Sequence, residues 1–230
     1  MSGSEAFASL PDDFQGVVRL FPLPNLVLFP HVMQPVHIFE PRYREMLEDA
    51  LAGDGLMAMS VLAPGWEANY EGRPPLYPHA CLARVASHHK LDDGTYNLLV
   101  LGLRRVRLLR ELPPKRPFRS AEVEICEDFD GADRDGQSCL HRRLRQAFLK
   151  ALPLLPQAQE QVEQLFGSDV ALGMLTDVVS YMLDISVSDK VRLLGEPDIH
   201  RRAEHILRHL TAVATTDEQN AEFPPPFSTN

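Results

Sequence analysis

The sequence has little of what marks a secreted, membrane-spanning or disulfide-stabilised protein. Its 230 residues include only three cysteines, Cys81, Cys126 and Cys139, which form no C-x-x-C pair and argue by their odd number against a disulfide framework. The N-terminus lacks a basic region followed by an apolar run, and no run of about 18 apolar residues occurs anywhere. These absences predict a protein of the reducing cytoplasm that makes no membrane contact.

Motifs for catalysis are also missing. There is no G-x-x-x-x-G-K-[ST] loop, no G-x-G-x-x-G turn and no G-x-S-x-G elbow. Ser188 and Lys190 stand two apart at a predicted helix start, where their side chains point in different directions. His205 and His209 stand four apart on a predicted helix, but the H-E-x-x-H order is absent, so a solvated helix face explains them better. We predict no catalytic residue, no metal and no cofactor. The third-ranked hypothesis is an enzyme, either a cryptic hydrolase or a metal enzyme that uses His205 and His209.

Negative charge exceeds positive charge overall, but the positive charge is unevenly spread. The formal net charge of -9 disfavours attraction to nucleic acid or to an anionic membrane. The exception is a basic segment whose cations are Arg104, Arg105, Arg107, Arg110, Lys115, Arg116 and Arg119. Alternation of these charges with apolar residues is typical of the solvent-facing side of a half-buried strand. An RNA-binding patch over 104–119 is the alternative interpretation.

The first half of the chain has the pattern of β structure. Short apolar or alternating runs occur at 17–21, 32–39, 56–62, 81–87, 95–102 and 120–126, separated by breaks rich in Pro and Gly. Asp93-Gly94 suits a tight hairpin turn. One helix is predicted in this half, from Pro41 to a stop at Gly53, with Tyr43 on its apolar face and Glu40 held extended before the proline. Six strands with turn signals suggest a barrel or a sandwich.

The second half has the pattern of amphipathic helices, which suggests a small bundle. Ser168 is the predicted N-cap of one helix, Ser188 caps a short helix that ends at Gly195, and Pro197 begins the last. The predicted organisation is a flexible N-terminus (1–15), a β subdomain (16–127), a linker (128–137), a helical subdomain (138–214) and a flexible tail (215–230).

Three sequence strings together are specific: F-P-L-P at 21–24, I-F-E-P-R-Y at 38–43 and G-L-R-R-V at 102–106. With them, the chain closely resembles the Lon protease N-terminal (substrate-binding) domain family over about residues 16–214. The residues that carry the resemblance, which we interpret as structural, are Phe21, Pro22, Pro24, Phe39, Glu40, Pro41, Arg42, Tyr43, Gly102, Arg104 and Arg105.

The resemblance implies an α+β fold: a PUA-like β-barrel of about six strands with one helix, followed by an α-helical bundle subdomain. In Lon proteases this region helps to recognise unfolded or tagged substrates and supports oligomer assembly. The enzymatic reactions belong to a separate AAA+ module and a Ser/Lys protease domain. The chain is expected to be a stand-alone member without those two domains. A zinc-bound module of the cereblon type is not expected, because the paired C-x-x-C ligands are absent.

The leading functional hypothesis is therefore a non-catalytic protein- or peptide-binding module, for which an adaptor in protein quality control is one role. Its candidate anchors on Pro-rich loops are Phe29, Trp66, Tyr70 and Tyr77. The competing interpretation is that these aromatic residues plug the barrel ends. The sequence also leaves open an RNA-binding PUA-like protein, and a protein named as a Lon-type peptidase by homology without activity of its own. The expected partners are unfolded or extended polypeptides or a partner protein, not nucleic acid; the oligomeric state stays open.

Overall fold

The computed structural model of the chain describes residues 9–11, 14–130, 134–151 and 170–220. The chain divides into two compact units. Unit 1 comprises Met1–Asp128 and Ser180–Pro197, and unit 2 comprises Phe129–Val179 and Asp198–Asn230. Among the described residues, no helix is both long enough and apolar enough to cross a bilayer.

Unit 1 contains every strand of the sheet. The strands are β1 (Val17–Leu23), β2 (Met33–Ile38), β3 (Leu56–Val61), β4 (His79–Lys90), β5 (Tyr96–Glu111) and β6 (Arg119–Cys126). Helix α1 (Pro41–Leu51) lies between β2 and β3 in the chain, and a short 3-10 helix, Trp66–Asn69, follows β3. The six predicted strands are confirmed, and β5 continues through much of the basic segment.

The strands follow the order β2-β5-β4-β3-β1-β6, and a further pairing of β5 with β6 closes five of them into a ring. β1 and β3 are parallel, whereas the other pairs are antiparallel. β2 lies outside this ring and, among the described strands, pairs with β5. Pro35 suits such an edge strand because it has no N–H to donate to a ladder. The expected six-stranded barrel is thus a ring of five strands with one strand added.

All five strands of the ring contribute side chains to one hydrophobic cluster in the core of unit 1. The cluster contains Val18, Leu20, Leu56, Ala58, Ala80, Leu82, Leu103, Val106, Ala121 and Val123. Leu10 and Phe14 are partly buried and pack against it. These two residues belong to the segment 1–15, which the sequence predicts to be flexible, and their apolar side chains explain why this part of it is packed instead.

Helix α1 begins as the sequence predicts. Glu40, at the N-cap, is extended with φ of -66° and ψ of 134°, and Pro41 occupies the first helical turn, where its missing N–H leaves no bond unmade. The face buried in unit 1 carries Tyr43, Met46, Leu47 and Ala50. The helix ends at Leu51, just before the predicted stop.

A short helix, α4 (Val187–Leu194), completes unit 1 and contacts β4. The predicted cap, Ser188, is wrong: the Ser186 side chain accepts the Asp189 N–H at 3.1 Å, because the helix begins one residue earlier than Ser188. At its other end, a Cβ added to Gly195 would lie 2.5 Å from Nδ1 of His79. Glycine therefore permits this close approach.

Unit 2 contains α2 (Arg134–Ala151), most of α3 (Leu172–Met182, whose last residues belong to unit 1) and α5 (Ile199–Asn220). Its buried apolar residues are Leu140, Leu144, Phe148, Leu172, Leu175, Val179, Ile199, Ala203, Ile206, Leu207 and Leu210. The Asp198 carboxylate accepts the backbone N–H groups of His200 and Arg201 at 2.9 and 3.2 Å, and so caps α5 one residue after Pro197. Ser168, the other predicted cap, lies outside the described residues.

A charged side chain is buried inside unit 2. Arg202 of α5 is fully buried; its Nε donates to Thr176 Oγ1 at 3.1 Å, and its Nη2 lies 3.8 Å from Asp177 Oδ1. Asp177 and Thr176 are fully buried as well. Burying a charge is costly unless it is paired and hydrogen-bonded. The stability of unit 2 is therefore expected to depend on Arg202, Thr176 and Asp177 as a set.

The predicted boundaries differ from the structure in three places. α2 begins at Arg134, inside the expected linker, and α5 continues to Asn220, inside the expected tail. Residues 180–197 belong to unit 1, whereas the sequence suggests one continuous helical subdomain over 138–214. Residues of one compact unit need not be contiguous in sequence, and helical periodicity alone does not reveal which unit a helix joins.

Candidate functional site

A loop of unit 1 leaves the sheet after β3 and returns before β4, and it is closed at its base. The Ala63 N–H donates to the Pro75 carbonyl, and the Tyr77 N–H donates to the Val61 carbonyl, both at 2.9 Å. The chain between these bonds, residues 64–74, therefore projects from a fixed base rather than from two independent ends. We call it the 64–74 loop.

The 64–74 loop presents two aromatic side chains. Gly65 adopts φ of 87°, a left-handed conformation that favours glycine, immediately before the 3-10 turn Trp66–Asn69. The turn brings the Trp66 and Tyr70 rings to a centroid distance of 5.6 Å in an edge-to-face arrangement of 67°. Both side chains are half-buried. Edge-to-face packing of this kind stabilises an aromatic pair beyond its area burial.

The tip of the loop is attached to the start of α1. The Tyr70 hydroxyl donates to Glu40 Oε1 at 2.5 Å, and Arg42 Nε donates to Glu40 Oε2 at 2.9 Å. The Arg42 guanidinium also lies over the Tyr70 ring, 4.9 Å from its centroid. Burial and the hydrogen bond to Glu40 raise the pKa of the Tyr70 phenol, so it remains a donor at neutral pH. The E-P-R-Y string thus positions an aromatic loop thirty residues away.

The same contacts lead inward to the core. Arg42 lies 4.8 Å from the Tyr43 ring centroid, and the Tyr43 ring meets Phe21 edge-on at 4.8 Å. Tyr43 and Phe21 are buried, and burial raises the pKa of the Tyr43 phenol. Alternating aromatic and cationic groups therefore connect the surface pair, Trp66 and Tyr70, with the interior of unit 1.

Phe39, the chain neighbour of Glu40, is an exposed aromatic residue. Its side chain is 62% exposed, and its ring stacks on His37 at a centroid distance of 6.1 Å. His37 is held in turn by a 2.8 Å hydrogen bond between its Nδ1 and Asn97 Oδ1. Phe39 directly precedes Glu40, which contacts Tyr70. We name Phe39, Trp66 and Tyr70 together the aromatic platform.

The other predicted anchors are placed differently. Phe29 is fully buried and cannot act as a surface anchor, because the 21–30 segment folds its ring into the interior. This placement agrees with the competing interpretation that aromatic residues plug the barrel. Tyr77 is half-buried at the loop base, and no contact among the described residues joins its ring to Trp66 or Tyr70. The structure therefore brings together two of the four predicted anchors, Trp66 and Tyr70. We include Phe39, which the sequence suggests is structural, because it is exposed and directly precedes Glu40.

Gly102 of the G-L-R-R-V string has a clear steric role. A Cβ at this position would lie 2.1 Å from the Phe29 carbonyl oxygen and 3.0 Å from Cys81 Sγ. The Gly102 N–H donates to the Val32 carbonyl at 2.9 Å, and the Gly102 carbonyl accepts the His31 N–H at 2.8 Å. The glycine therefore lets the 21–30 segment pack directly on β5.

The remaining signature residues are also part of the framework of unit 1. Pro22 is buried in β1, and Pro24, just after it, is half-buried. Arg104 donates to the Leu103 carbonyl at 2.8 Å. Arg105 is 4% exposed, and its Nη1 lies 3.2 Å from Asp128 Oδ1. These placements agree with the structural interpretation of the motif arginines.

The basic segment is neutralised largely by carboxylates of the same unit. The ion pairs are Arg105 with Asp128, Arg107 with Glu124, Arg110 with Glu122, Arg116 with Asp49, and Arg119 with Glu111. The second and third of these link β5 to β6 across the ladder. Cations already paired with carboxylates offer little net positive potential to phosphates, so the geometry favours the strand interpretation over the RNA-binding alternative.

The nucleophile candidates have other contacts. The Lys190 ammonium donates to the Tyr181 carbonyl at 2.8 Å, and the Ser188 hydroxyl lies 2.8 Å from the Ser186 hydroxyl. Burial lowers the pKa of Lys190. Burial, with Glu124 nearby, raises the pKa of the Cys126 thiol, which disfavours the nucleophilic thiolate at neutral pH. These groups are arranged for packing and capping.

A family model for the ATP-dependent protease La (LON) substrate-binding domain matches residues 17–212. The chain belongs to this family. The match covers all six strands and most of the helices of both units, and it confirms the resemblance drawn from F-P-L-P, I-F-E-P-R-Y and G-L-R-R-V.

Curated relatives carry this domain within longer proteins. Lon protease 1 of Bdellovibrio bacteriovorus is 30% identical over 195 residues, which cover 85% of this chain and 24% of that protein. Lon protease 2 of Desulfotalea psychrophila is 30% identical over 196 residues, which cover 84% of this chain and 25% of that protein. The chain thus spans about a quarter of the length of these relatives.

Solved structures share the fold. A Lon N-terminal domain protein from Xanthomonas campestris superposes with a TM-score of 0.61 at 22% identity, over 84% of this chain and 97% of that one. The N-terminal domain of a Mycobacterium avium complex Lon protease superposes with a TM-score of 0.63 at 18% identity, over 86% of this chain and 98% of that one. The α+β class of the Lon substrate-binding domain is therefore confirmed for this chain.

Proposed function

We propose that this Lon substrate-binding domain binds extended or unfolded polypeptide on the aromatic platform of unit 1, without catalysing a reaction. The observation that carries the proposal is the anchoring of the 64–74 loop by the Tyr70–Glu40 hydrogen bond. That bond holds the Trp66–Tyr70 pair in place beside Glu40, whose chain neighbour Phe39 is 62% exposed. Family membership supplies the class of ligand, because the family is that of a substrate-binding domain.

The chemistry of the platform suits polypeptides without a defined fold. Aromatic rings that are held before binding bury apolar area at a small cost in side-chain entropy. Such rings accept many apolar side chains, because apolar burial is not directional. A folded protein hides those side chains, so recognition through aromatic rings selects the unfolded state without reading one sequence.

The free edge of β2 is a poor alternative site for polypeptide. Pro35 lacks the N–H that an added strand would need, and its carbonyl already accepts a 2.7 Å hydrogen bond from the Gln34 side chain. Proline at an edge strand is a common protection against added strands. We therefore assign binding to side-chain contacts on the platform rather than to an extension of the sheet.

The same proposal extends to cellular role. A domain of this family that captures unfolded chains would act as an adaptor in protein quality control, by binding rather than by hydrolysis. None of the three cysteines forms a disulfide, which suits a reducing cytoplasm. The proteins named Lon protease among its relatives are about four times as long, so their activity is not carried over to this chain.

The single tryptophan provides a direct test, because Trp66 is both the only indole in the chain and a member of the platform. The ligand is a polypeptide without tryptophan, reduced and carboxymethylated so that it cannot fold. Titrating it into the protein should shift and change the Trp66 emission in a saturable manner, since the indole becomes less accessible to water. The same polypeptide in its native, disulfide-bonded form is the control.

Salt separates this proposal from an electrostatic one. Apolar contacts predict an affinity that changes little between low and moderate salt, whereas phosphate-type contacts predict a steep linear fall of log affinity with log salt. No saturable change in Trp66 emission with the unfolded polypeptide, or an equal change with the native control, would contradict the proposed function.

A further inference from the structure

Two histidines of unit 2 face each other on one helix. His205 and His209 are one turn apart on α5 and are both half-buried. Their Nε2 atoms lie 3.1 Å apart, and their ring centroids lie 4.9 Å apart at an angle of 43°. Spacing of four residues places two side chains on the same helix face, but it does not require that the same nitrogen of each ring be turned toward the other.

This separation matches the bite of a two-histidine chelate. A bound Zn²⁺ lies about 2.0 to 2.1 Å from each imidazole nitrogen. Two such nitrogens are about 2.9 Å apart when the angle at the metal is a right angle and about 3.3 Å apart when it is tetrahedral. The observed 3.1 Å falls between the two values. We propose that His205 and His209 bind a divalent late first-row cation such as Zn²⁺ or Ni²⁺, ions that imidazole ligands suit.

The helix holds the two ligands in place before a cation arrives. Ile206 and Leu210, the residues that directly follow the two histidines, are buried and fix the rotation of α5 within unit 2. Glu204 and Arg208 are exposed beside the pair, and their opposite charges largely offset each other. A chelate whose backbone is already positioned loses little conformational entropy on binding.

Without metal, the short contact between the rings is explained by one shared proton. One Nε2 donates and the other accepts, as two imidazoles in different tautomers can do. When a cation binds, the donating ring changes tautomer and carries its proton on Nδ1, so that the Nε2 lone pairs of both rings face the cation. The same geometry therefore describes a hydrogen bond and a chelate, and only a metal titration separates them.

The chemistry of the site is that of an open metal centre. Two protein ligands leave further coordination positions to water or to a carboxylate or imidazole of a bound molecule, whereas structural zinc sites use four protein ligands. The H-E-x-x-H order of zinc peptidases is absent, so the glutamate that would serve as general base there is missing. The inference is thus a cation-binding site and not a peptidase centre.

The test uses the full chain, freed of any affinity tag, titrated separately with Zn²⁺ and with Ni²⁺ by calorimetry. We expect one ion per chain in the wild type and at least a tenfold loss of affinity in His205→Gln and in His209→Gln. The double variant His88→Asn, His89→Asn removes two exposed histidines of β4 and should bind like the wild type. Circular dichroism without metal verifies that each variant is folded.

A second measurement needs no variant. Paramagnetic Ni²⁺ added in small amounts should broaden the imidazole resonances of His205 and His209 before those of the other histidines. The inference is overturned if the wild type binds neither ion, if the His205 and His209 variants bind as tightly as the wild type, or if the β4 control loses the binding. Equal broadening of all histidines would overturn it as well.

Discussion

The Tyr70 hydroxyl lies 2.5 Å from Glu40 Oε1, and this one hydrogen bond joins a helix start to a loop thirty residues further along the chain. Glu40 is therefore more than the residue that precedes the helix proline. Its carboxylate also accepts from Arg42, whose guanidinium lies between the Tyr43 and Tyr70 rings. Glu40 thus belongs both to the framework of unit 1 and to the proposed binding surface. Substitutions in the framework should change stability, whereas substitutions in the binding surface should change affinity.

Tyr43→Ala should destabilise unit 1. The Tyr43 ring is 5% exposed and packs on Phe21, so truncation leaves a cavity and should lower the free energy of unfolding by about 3 kcal/mol or more. Urea unfolding followed by circular dichroism measures the change. Tyr43→Phe, which keeps the ring, is the matched control and should cost far less. Equal stability of the alanine variant and the wild type would mean that the packing of Tyr43 at the start of α1 does not stabilise unit 1.

Gly102→Ala should be poorly tolerated. The added methyl group would lie 2.1 Å from the Phe29 carbonyl oxygen, a backbone atom that cannot rotate away. Overpacking against the backbone should cost about 1 to 3 kcal/mol. Gly53→Ala is the control, since its nearest neighbour is the end of the Arg19 side chain at 3.2 Å, which can move. Thermal unfolding of the two variants measures the difference in stability between them. Similar melting temperatures for Gly102→Ala and Gly53→Ala would contradict the steric explanation.

The buried charges of unit 2 should behave as a set. Arg202→Met leaves the Asp177 carboxylate buried beside an apolar side chain and should destabilise the protein by about 3 to 5 kcal/mol. The double variant Arg202→Met, Asp177→Leu removes both charges and should regain much of that loss. Chemical denaturation of the single and double variants measures the coupling between the two sites. If the double variant is no more stable than the single one, the loss of stability in Arg202→Met does not come from leaving the Asp177 carboxylate without Arg202.

Stability should depend on pH through His79. Burial, and then the nearby Arg107 guanidinium, lower the pKa of His79. Above the ordinary histidine pKa of about 6.5, neither the folded nor the unfolded state is protonated at this residue and it contributes no pH dependence. As the pH falls below that value, the unfolded state takes up a proton that the folded state does not, so stability decreases until the lowered pKa is reached.

Replacement of this histidine provides the check. His79→Asn should flatten the part of the stability profile below about pH 6.5, because the proton uptake of the unfolded state at this position is removed. His88→Asn, an exposed histidine of the same strand, should leave that part of the profile in place. Melting temperatures recorded across this pH range test the assignment, and identical slopes for wild type and His79→Asn would refute it.

Much of the framework follows from local sequence signals. Alternating apolar runs predict all six strands of unit 1, because alternation places one side of each strand in the core. Pro41 and Glu40 predict the start of α1 for an equally local reason. The predicted cap of α4 is two residues away from the observed one, since Ser186 and Ser188 offer the same hydroxyl and only the backbone selects one of them.

The candidate site depends on contacts that local patterns do not encode. The sequence predicts Trp66 and Tyr70 as anchors from their place in a loop, but their attachment to Glu40 joins residues thirty apart. Phe29 and Phe39 have the same chemistry and flank β2, yet one is fully buried and the other is 62% exposed. Which ring enters the core is decided by packing, notably by the space that Gly102 leaves for the Phe29 backbone.

The central claim is that the aromatic platform binds unfolded polypeptide, and the most direct test measures affinity with and without it. A labelled, reduced and carboxymethylated polypeptide is titrated with the wild type, with the double variant Phe39→Ala, Trp66→Ala and with Leu109→Ala, and fluorescence anisotropy is recorded. Leu109 is 51% exposed on β5 and serves as the control for loss of an exposed apolar side chain. We predict that the double variant remains folded and binds about tenfold or more weakly, while Leu109→Ala binds like the wild type. Equal affinity of all three proteins for the polypeptide would contradict the claim.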